Sequence, residues 1–309
     1  MSDLHIVTGA GPVGTTIAEQ LAAAGNQVRV LTRSGSGPKH PLIELRRVDA
    51  SNPEQLSGQF DGATAVYHCI HGSQHSAKVW RAEMPAAEQV VLNEAGKAGA
   101  VVVFPESLYS YLPTDGPIRE TSTRTGSSGK GAVREELLRA RDAHATPTVS
   151  VAAADFLGPH VHASIAGDQM FTPILAGKRV TALGNIDLPH SFTYIPDLAA
   201  AMIRAAADKS LHDTVLHAPT APAITQRQLI TAIADAAGAP KPTITAMPVW
   251  LMKLIGVANP LLRELSELGY QLERPFVLDS TDSEHKLGLR PTPLDEAVAT
   301  TAAWWKSQS

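Results

Sequence analysis

One cysteine, Cys69, is all that the 309 residues contain. No internal disulfide can brace such a chain, which agrees with a reducing compartment and excludes the small disulfide-stapled class. Charge of one sign is also missing, since 26 Lys and Arg stand against 30 Asp and Glu for a formal net charge of −4. The cations are scattered, so neither a nucleic-acid surface nor a basic membrane-binding patch is expected. No uninterrupted apolar run approaches the roughly 18 residues of a spanning helix. The polar start Met1-Ser2-Asp3 does not read as a signal peptide. Internal repeats and low-complexity segments are lacking as well. What remains is a cytoplasmic globular protein long enough for one large α/β domain or two lobes, with a small molecule as the expected partner.

The most informative stretch present is Thr8-Gly9-Ala10-Gly11-Pro12-Val13-Gly14, which follows the apolar run Leu4 to Val7 and opens an amphipathic segment. This order predicts a strand, a glycine turn and a helix start. In G-x-G-x-x-G, Gly9 permits the tight turn, Gly11 lets the backbone approach a pyrophosphate, and Gly14 lets the helix pack closely on the strand. Phosphates then sit on the helix N-terminus, where unpaired N–H groups and the positive dipole end favour an anion. Gly25 closes the helix before a second apolar run, Gln27 to Leu31.

The end of that second strand selects the dinucleotide. NAD-binding folds place Asp or Glu there to accept the ribose 2′-hydroxyl, whereas this chain has Thr32-Arg33-Ser34. Arg33 offers a cationic fork to a 2′-phosphate, Ser34 and Ser36 add hydroxyl donors, and Lys39 adds charge. NADP is favoured, with NAD left open as the second choice.

Strand-like and helix-like segments then alternate: strands at Leu45 to Val48, Ala65 to Cys69, Ala100 to Phe104 and Thr148 to Ala153; helices at Pro53 to Gln59, Ala82 to Gly96 and Ser127 to Ala143. Alternation of short apolar strands with helices predicts an α/β fold, a doubly wound parallel sheet covered on both faces. Proline and glycine break up 156–192, and helical patterns return at Asp197 to Ala207, Thr225 to Ala237, Pro248 to Val257 and Pro293 to Lys306. The expected division is a Rossmann-type dinucleotide domain of residues 1–155 plus about 190–239, a discontinuous substrate lobe of 156–189 plus about 240–290, and a C-terminal helix in 291–309. Val215-Leu216-His217 reads as one more short strand of the first unit. Asp197, before Leu198-Ala199-Ala200-Ala201, reads as a helix N-cap.

Taken together, these motifs resemble the short-chain dehydrogenase/reductase superfamily in its extended and atypical branches, the NAD-dependent epimerase/dehydratase-like proteins. The resemblance rests on the glycine turn, Val48-Asp49, Tyr67-His68-Cys69, Phe104 to Tyr111, Asp155-Phe156-Leu157-Gly158-Pro159, and Phe192-Thr193-Tyr194-Ile195-Pro196-Asp197. It implies that Asp49 meets the adenine amine and that Cys69, Ile70 and His71 line the nicotinamide ribose, with Asp155 and Phe156 adding to the cofactor site. The glycine turn is one residue shorter than the T-G-x-x-G-x-x-G of extended members. Some relatives pair through the helices near 82–96 and 127–143, which leaves a homodimer open.

In active members of that superfamily a Ser orients the reacting oxygen, a Tyr transfers the proton, and a Lys four residues later tunes the Tyr and holds the ribose. Ser107 and Lys130 match the first and last, but the Tyr position is Gly126. Three candidates could replace the donor: Tyr109, on the loop after the fifth strand where open α/β sheets put ligands; His71, with an imidazole suited to acid/base work; and third Tyr111, to which the same resemblance also gives the place of a structural tyrosine. His68, His71 and His75 fall within eight residues, yet without zinc-ligand spacing to an Asp, Glu or Cys, so no metal is expected. Ser57 and Ser150 have no nucleophile-elbow context.

For the substrate, Met247 to Ile255 with Phe171, Ile174 and Leu175 supply large apolar side chains, while the cations of the lobe are few: Lys178, Arg179, Lys241, Lys253, Arg263 and Arg274. A small or hydrophobic carbonyl compound suits this better than a nucleotide sugar. The expected function is an NADP-dependent oxidoreductase. The alternatives are a catalytically silent NADP-binding sensor and, third, an NAD-dependent sugar epimerase or dehydratase.

Overall fold

The computed structural model describes residues 3–112, 116–126, 129–257 and 266–308. Ser127, where the fourth helix was expected to begin, and Arg263 lie outside them. In chain order the elements are β1 (Leu4–Thr8), α1 (Pro12–Ala23), β2 (Gln27–Thr32), β3 (Ile43–Arg47), α2 (Pro53–Leu56), β4 (Ala63–His68), α3 (Ala77–Ala98), β5 (Val101–Ser107), α4 (Gly129–Asp142), β6 (Thr148–Ala153), β7 (Asp155–Leu157), α5 (Asp168–Leu175), β8 (Val180–Leu183), β9 (Phe192–Tyr194), α6 (Ile195–Ala206), β10 (Thr214–His217), α7 (Gln226–Ala237), β11 (Ile244–Met247) and α8 (Val249–Gly256). The helices Thr281–Leu287 and Leu294–Ser307 follow.

Seven strands form one parallel sheet in the order β10-β6-β5-β4-β1-β2-β3, the doubly wound Rossmann arrangement. The period-2 alternation of each strand divides its side chains between two cores. Val7, Val30 and Val103 pack with Ile17 and Leu21 of α1 and Leu198 and Met202 of α6. Their neighbours Ile6, Leu31, Val102 and Phe104 pack with Leu56 and with Val91 and Leu92 of α3. Both faces are thereby covered, which is why the strands read as apolar runs. The order reverses between β1 and β4, and both strands end at the crevice where such sheets bind ligands.

Two small parallel pairs, β8 with β11 and β7 with β9, stand outside the main sheet. Segment 192–206 returns to the dinucleotide domain, because Ile195, Leu198, Ala201 and Ala205 join the core beneath α1. Helix α7, which the sequence pattern grouped with that domain, instead sends Leu229, Ile230 and Ile233 into a second core with Phe171, Ile174, Val180 and Trp305. Its apolar stripe matches those side chains rather than the sheet. Helix α3 starts at Ala77 rather than Ala82 and continues through Pro85. Asp197 is not the N-cap of α6, a place taken by Tyr194; its carboxylate accepts the Thr292 N–H and hydroxyl at 2.8 and 2.7 Å. Among the described residues no helix is long and apolar enough to cross a membrane.

Candidate active site

The glycine turn is built around one open position. Gly9 has φ +89°, and a Cβ there would sit 3.1 Å from the Cys69 carbonyl oxygen and 3.1 Å from Ile70 Cγ1. A Cβ on Gly14 would lie 2.0 Å from the Gly9 carbonyl oxygen, so helix and strand can approach this closely only without one. Around Gly11 nothing lies within 4 Å of a Cβ position. Gly11 is the N-cap of α1, Pro12 takes the first turn, and no described side chain caps the helix. The first N–H groups of a helix have no partner within it, so this uncapped end beside the open position at Gly11 is the environment an anion needs.

The flanking residues surround that turn. Cys69, which follows β4, donates its N–H to the Thr8 carbonyl at 2.9 Å, and Ile70 is exposed. At the end of β2, Arg33 is exposed, and its carbonyl accepts Arg47 Nε at 3.1 Å. Arg47, a second cation not singled out in the sequence, arrives because β2 and β3 register Thr32 against Arg47. Ser34 and Ser36 share a hydroxyl contact of 2.6 Å. Asp49 accepts the Ser51 hydroxyl and N–H at 2.6 and 3.0 Å. Those bonds, and then the charge of Arg33, hold its carboxyl below the usual range.

The end of β5 is a different construction. Ser107 donates its N–H to Glu106 Oε1 at 2.7 Å, and its hydroxyl caps the 3-10 turn Leu108–Ser110. Glu106 is buried with Glu88, Arg134 and Arg141. Arg141 forks onto both Glu88 oxygens at 2.6 and 2.8 Å, reaches Glu106 at 2.9 Å and Ser150 at 3.0 Å, and lies over Phe104 at 3.9 Å. Arg134 pairs with Glu106 at 3.4 Å and covers Trp80 at 4.9 Å. Two carboxylates meet two guanidiniums, so the buried charge cancels and the strand end is fixed to α3 and α4.

Gly126, in the place of the usual phenol, is walled in by main chain. Its φ is +44°, and a Cβ would lie 2.3 Å from the Gly131 carbonyl oxygen and 2.9 Å from Ala132 Cα. Gly131 in turn touches the Tyr109 carbonyl, where a Cβ would come within 2.4 Å. Lys130 is fully buried, and its ammonium meets Glu267 Oε2 at 2.9 Å. Glu267 Oε1 also accepts the Lys130 N–H at 2.9 Å.

The candidate donors occupy one aromatic cluster. Tyr109 lies nearly parallel to Trp80, with centroids 6.2 Å apart. Burial, and then the Asp155 carboxylate, push its phenol above the ordinary range, so Lys130 does not hold it as a tyrosinate. His71 is exposed on its loop and stands edge-on to Trp80 at 4.4 Å; desolvation of its ring, and then the Arg134 charge, lower its pKa. Tyr111 bonds His217 Nε2 at 2.8 Å in the core, a structural role. Asp155 Oδ2 meets His190 Nε2 at 2.6 Å, while Phe156 packs against the main core. His68 departs from its neighbours by bonding Thr8 at 2.8 Å, and His71 and His75 stack 6.4 Å apart.

Sequence reasoning missed Glu106, Arg134, Glu267 and His190. Glu106 carried a usable signal, a carboxylate closing an apolar strand, and Arg134 and Arg141 stand two turns apart on one helical face, as partners for it would. Glu267 and His190 carried none, because their partners are 137 and 35 residues away.

The profile of the NAD dependent epimerase/dehydratase family matches residues 5–216. Among solved structures, the UDP-glucose 4-epimerase of Thermus thermophilus in complex with NAD is 21% identical, with 99% of this chain and 100% of that chain covered and a TM-score of 0.76. The UDP-glucose 4-epimerase of Thermotoga maritima with UDP-glucose is 17% identical, covering 99% of both chains, at a TM-score of 0.77. The dTDP-glucose 4,6-dehydratase of Streptomyces venezuelae with NAD bound is 18% identical over 98% and 97%, at 0.76. No curated protein sequence gives a significant match. At these identities the structures show a shared fold, and the family match spans about two thirds of the chain: it belongs to the NAD dependent epimerase/dehydratase family, enzymes of the short-chain dehydrogenase/reductase superfamily.

Proposed function

We propose that the protein is an NADP-dependent oxidoreductase acting on a small or hydrophobic carbonyl or alcohol. The observation that carries this reading is the open position at Gly11 before an uncapped helix, with the exposed cations Arg33 and Arg47 at the adjoining strand ends. Gly9, Gly11, Pro12, Val13 and Gly14 would hold the pyrophosphate, Arg33 and Ser34 the 2′-phosphate, and Asp49 the adenine. Cys69, Ile70, Asp155 and Phe156 would line the nicotinamide ribose. A bound nicotinamide dinucleotide would supply the hydride chemistry, and the chain's own residues would supply the environment of the carbonyl oxygen. Ser107 would polarise that oxygen, and Tyr109, neutral at pH 7, would give it the proton.

Fluorescence titration with NADPH and NADH tests the first half. Arg33→Ala should weaken NADPH binding roughly ten- to a hundredfold, the value of a charge-assisted contact, and leave NADH unchanged. Equal affinities of the wild type for the two cofactors would overturn the NADP assignment. A panel of aldehydes and alcohols tests the second half, with Tyr109→Phe expected to cut turnover by roughly 10²–10⁴.

A specific observation favours a second reading, an NADP-binding regulator without turnover: the phenol position is filled by backbone and Lys130 is enclosed. Absence of turnover across the panel, with NADPH binding intact, would select it. Sugar-nucleotide chemistry, the activity named for the solved neighbours, is supported less, since a diphosphate calls for several cations.

A further inference from the structure

Lys130 is the one residue of the superfamily's catalytic pair that the fold should deliver to the nicotinamide ribose, and it has no exposed surface. Its ammonium and its backbone N–H are both taken by one carboxylate, that of Glu267. Glu267 belongs to the opposite side of the crevice. Leu268 beside it is buried, Leu272 packs with Leu183, Val249 and Met252, and the Leu272 carbonyl accepts the Asn185 N–H at 2.9 Å. The carboxylate also presses on the first residue of α4, where a Cβ on Gly129 would fall 1.5 Å from Glu267 Oε1. A side chain anchored in one lobe therefore fills the space in front of the lysine of the other. It is itself partly open to solvent, with 30% of its side chain exposed, so it forms the outer wall of the enclosure rather than part of its core.

We propose that Glu267 is a latch, an autoinhibitory contact that occupies Lys130 and must let go before the ribose hydroxyls of a dinucleotide can engage that lysine. The inference rests on the dinucleotide-binding part of the reading above. The Glu267 carboxylate stands against the ammonium, so a ribose hydroxyl approaching from that side must displace it, and the closed latch lowers the apparent cofactor affinity by the fraction of molecules in which it is open. Gly129 and Gly131 fit this arrangement: the first makes room for the Glu267 carboxylate and the second for the Tyr109 carbonyl, so the start of α4 is shaped to receive the latch. The same contact leaves the glycine turn untouched, which separates phosphate docking from engagement of the nicotinamide end.

The test is calorimetric titration of NADPH into the full-length wild type, Glu267→Gln, Lys130→Met and the double variant. Glu267→Gln should bind at least roughly fivefold more tightly, the lower end of ordinary coupling between sites. The gain should vanish in the Lys130→Met background. Equal or weaker binding by Glu267→Gln would overturn the proposal and leave Glu267 a structural partner of α4. Amide hydrogen exchange in the absence of cofactor supplies a readout that needs no dinucleotide. In Glu267→Gln the amides of Gly269, Gln271 and Leu272 and those of the first turn of α4 should exchange faster than in wild type, and identical rates would overturn the latch. If neither NADPH nor NADH binds any variant, the dinucleotide reading falls, and the exchange rates alone then decide whether the contact is a latch.

Discussion

At the carboxyl end of β1 the backbone is arranged around a space, and at the carboxyl end of β5 it is arranged so that no space remains. Gly11 has no atom near its missing side chain, while Gly126 has a carbonyl oxygen 2.3 Å from where a side chain would begin. Both are glycines in turns that precede a helix, and both fall in superfamily motifs. The first turn is uncapped and adjoins two exposed arginines, whereas the second is held by the Ser110 carbonyl at 3.1 Å, beyond a strand end fixed by a buried four-charge network, and Glu267 meets Lys130 at the start of the helix that follows. Phosphate docking needs only backbone and a cation, so it survives wherever the turn geometry does. Proton transfer needs one particular side chain in one place, and here its place is occupied by the chain itself.

The largest effect should come from the network under β5. Arg141→Met leaves Glu88 and Glu106 facing each other in the core and should cost about 3–5 kcal/mol in urea unfolding. Burial alone would raise the Glu88 pKa, but the Arg141 charge and its hydrogen bonds bring it below the ordinary 4.5. The stability it contributes is therefore complete above that value and lost as pH falls below it. In Arg141→Met the acid-unfolding midpoint should move upward. A loss under about 1 kcal/mol would show that the strand end is not fixed by this network.

A second effect of similar kind sits between the two regions, at His68. Burial, outweighing the opposing charge of Glu88, lowers its pKa from 6.5 to about 4. With the folded value depressed, the unfolded chain binds the proton first. Stability is therefore complete above roughly pH 6.5 and falls by about 3 kcal/mol as pH drops toward 4. His68→Gln should flatten the stability curve across that window. A curve as steep as that of wild type would assign the loss to other groups.

The glycines test the comparison directly. Gly14→Ala should cost about 1–3 kcal/mol by overpacking, since its Cβ meets the Gly9 carbonyl. Gly11→Ala should change stability by no more than about 0.5 kcal/mol while weakening NADPH binding, because the added methyl enters the open position. Gly126→Tyr should behave like Gly14→Ala, losing stability and gaining no turnover. If Gly126→Tyr instead raised turnover, the filled site would be a rearrangement that the side chain can reverse.

The sheet, its helices and the glycine turn were legible in the sequence because each depends on neighbours in the chain: period-2 alternation, an apolar helix stripe, and glycines at fixed spacing. Helix α7 was placed with the wrong core for the same reason, since its stripe says that a face is buried but not against what. The expected helix at Ala82 to Gly96 is the middle of α3, which runs from Ala77 to Ala98 and tolerates Pro85 in its interior. Ser107 and Lys130 were identified through the family resemblance, yet their surroundings were not, because Glu267 comes from 137 residues away. The state of Tyr109 and His71 depends on Trp80, Arg134 and Asp155, which only the folded chain assembles.

The smallest effect expected is at His71, and its smallness is informative. An imidazole governs a reaction near neutrality only if it changes charge there. Contact with Trp80 and the nearby Arg134 charge lower the pKa of His71 below the ordinary imidazole range. Protonating it would place a second cation beside Arg134, whose carboxylate partner Glu106 is shared with Arg141. Between roughly pH 5 and 8 neither NADPH affinity nor any turnover should therefore owe its pH dependence to His71, and His71→Gln should leave both profiles superimposable on those of wild type. An inflection near pH 6.5 that disappears in His71→Gln would show that cofactor or substrate reverses this environment. His71 would then be the proton donor in place of Tyr109, and the region around β5 would be open to chemistry after all.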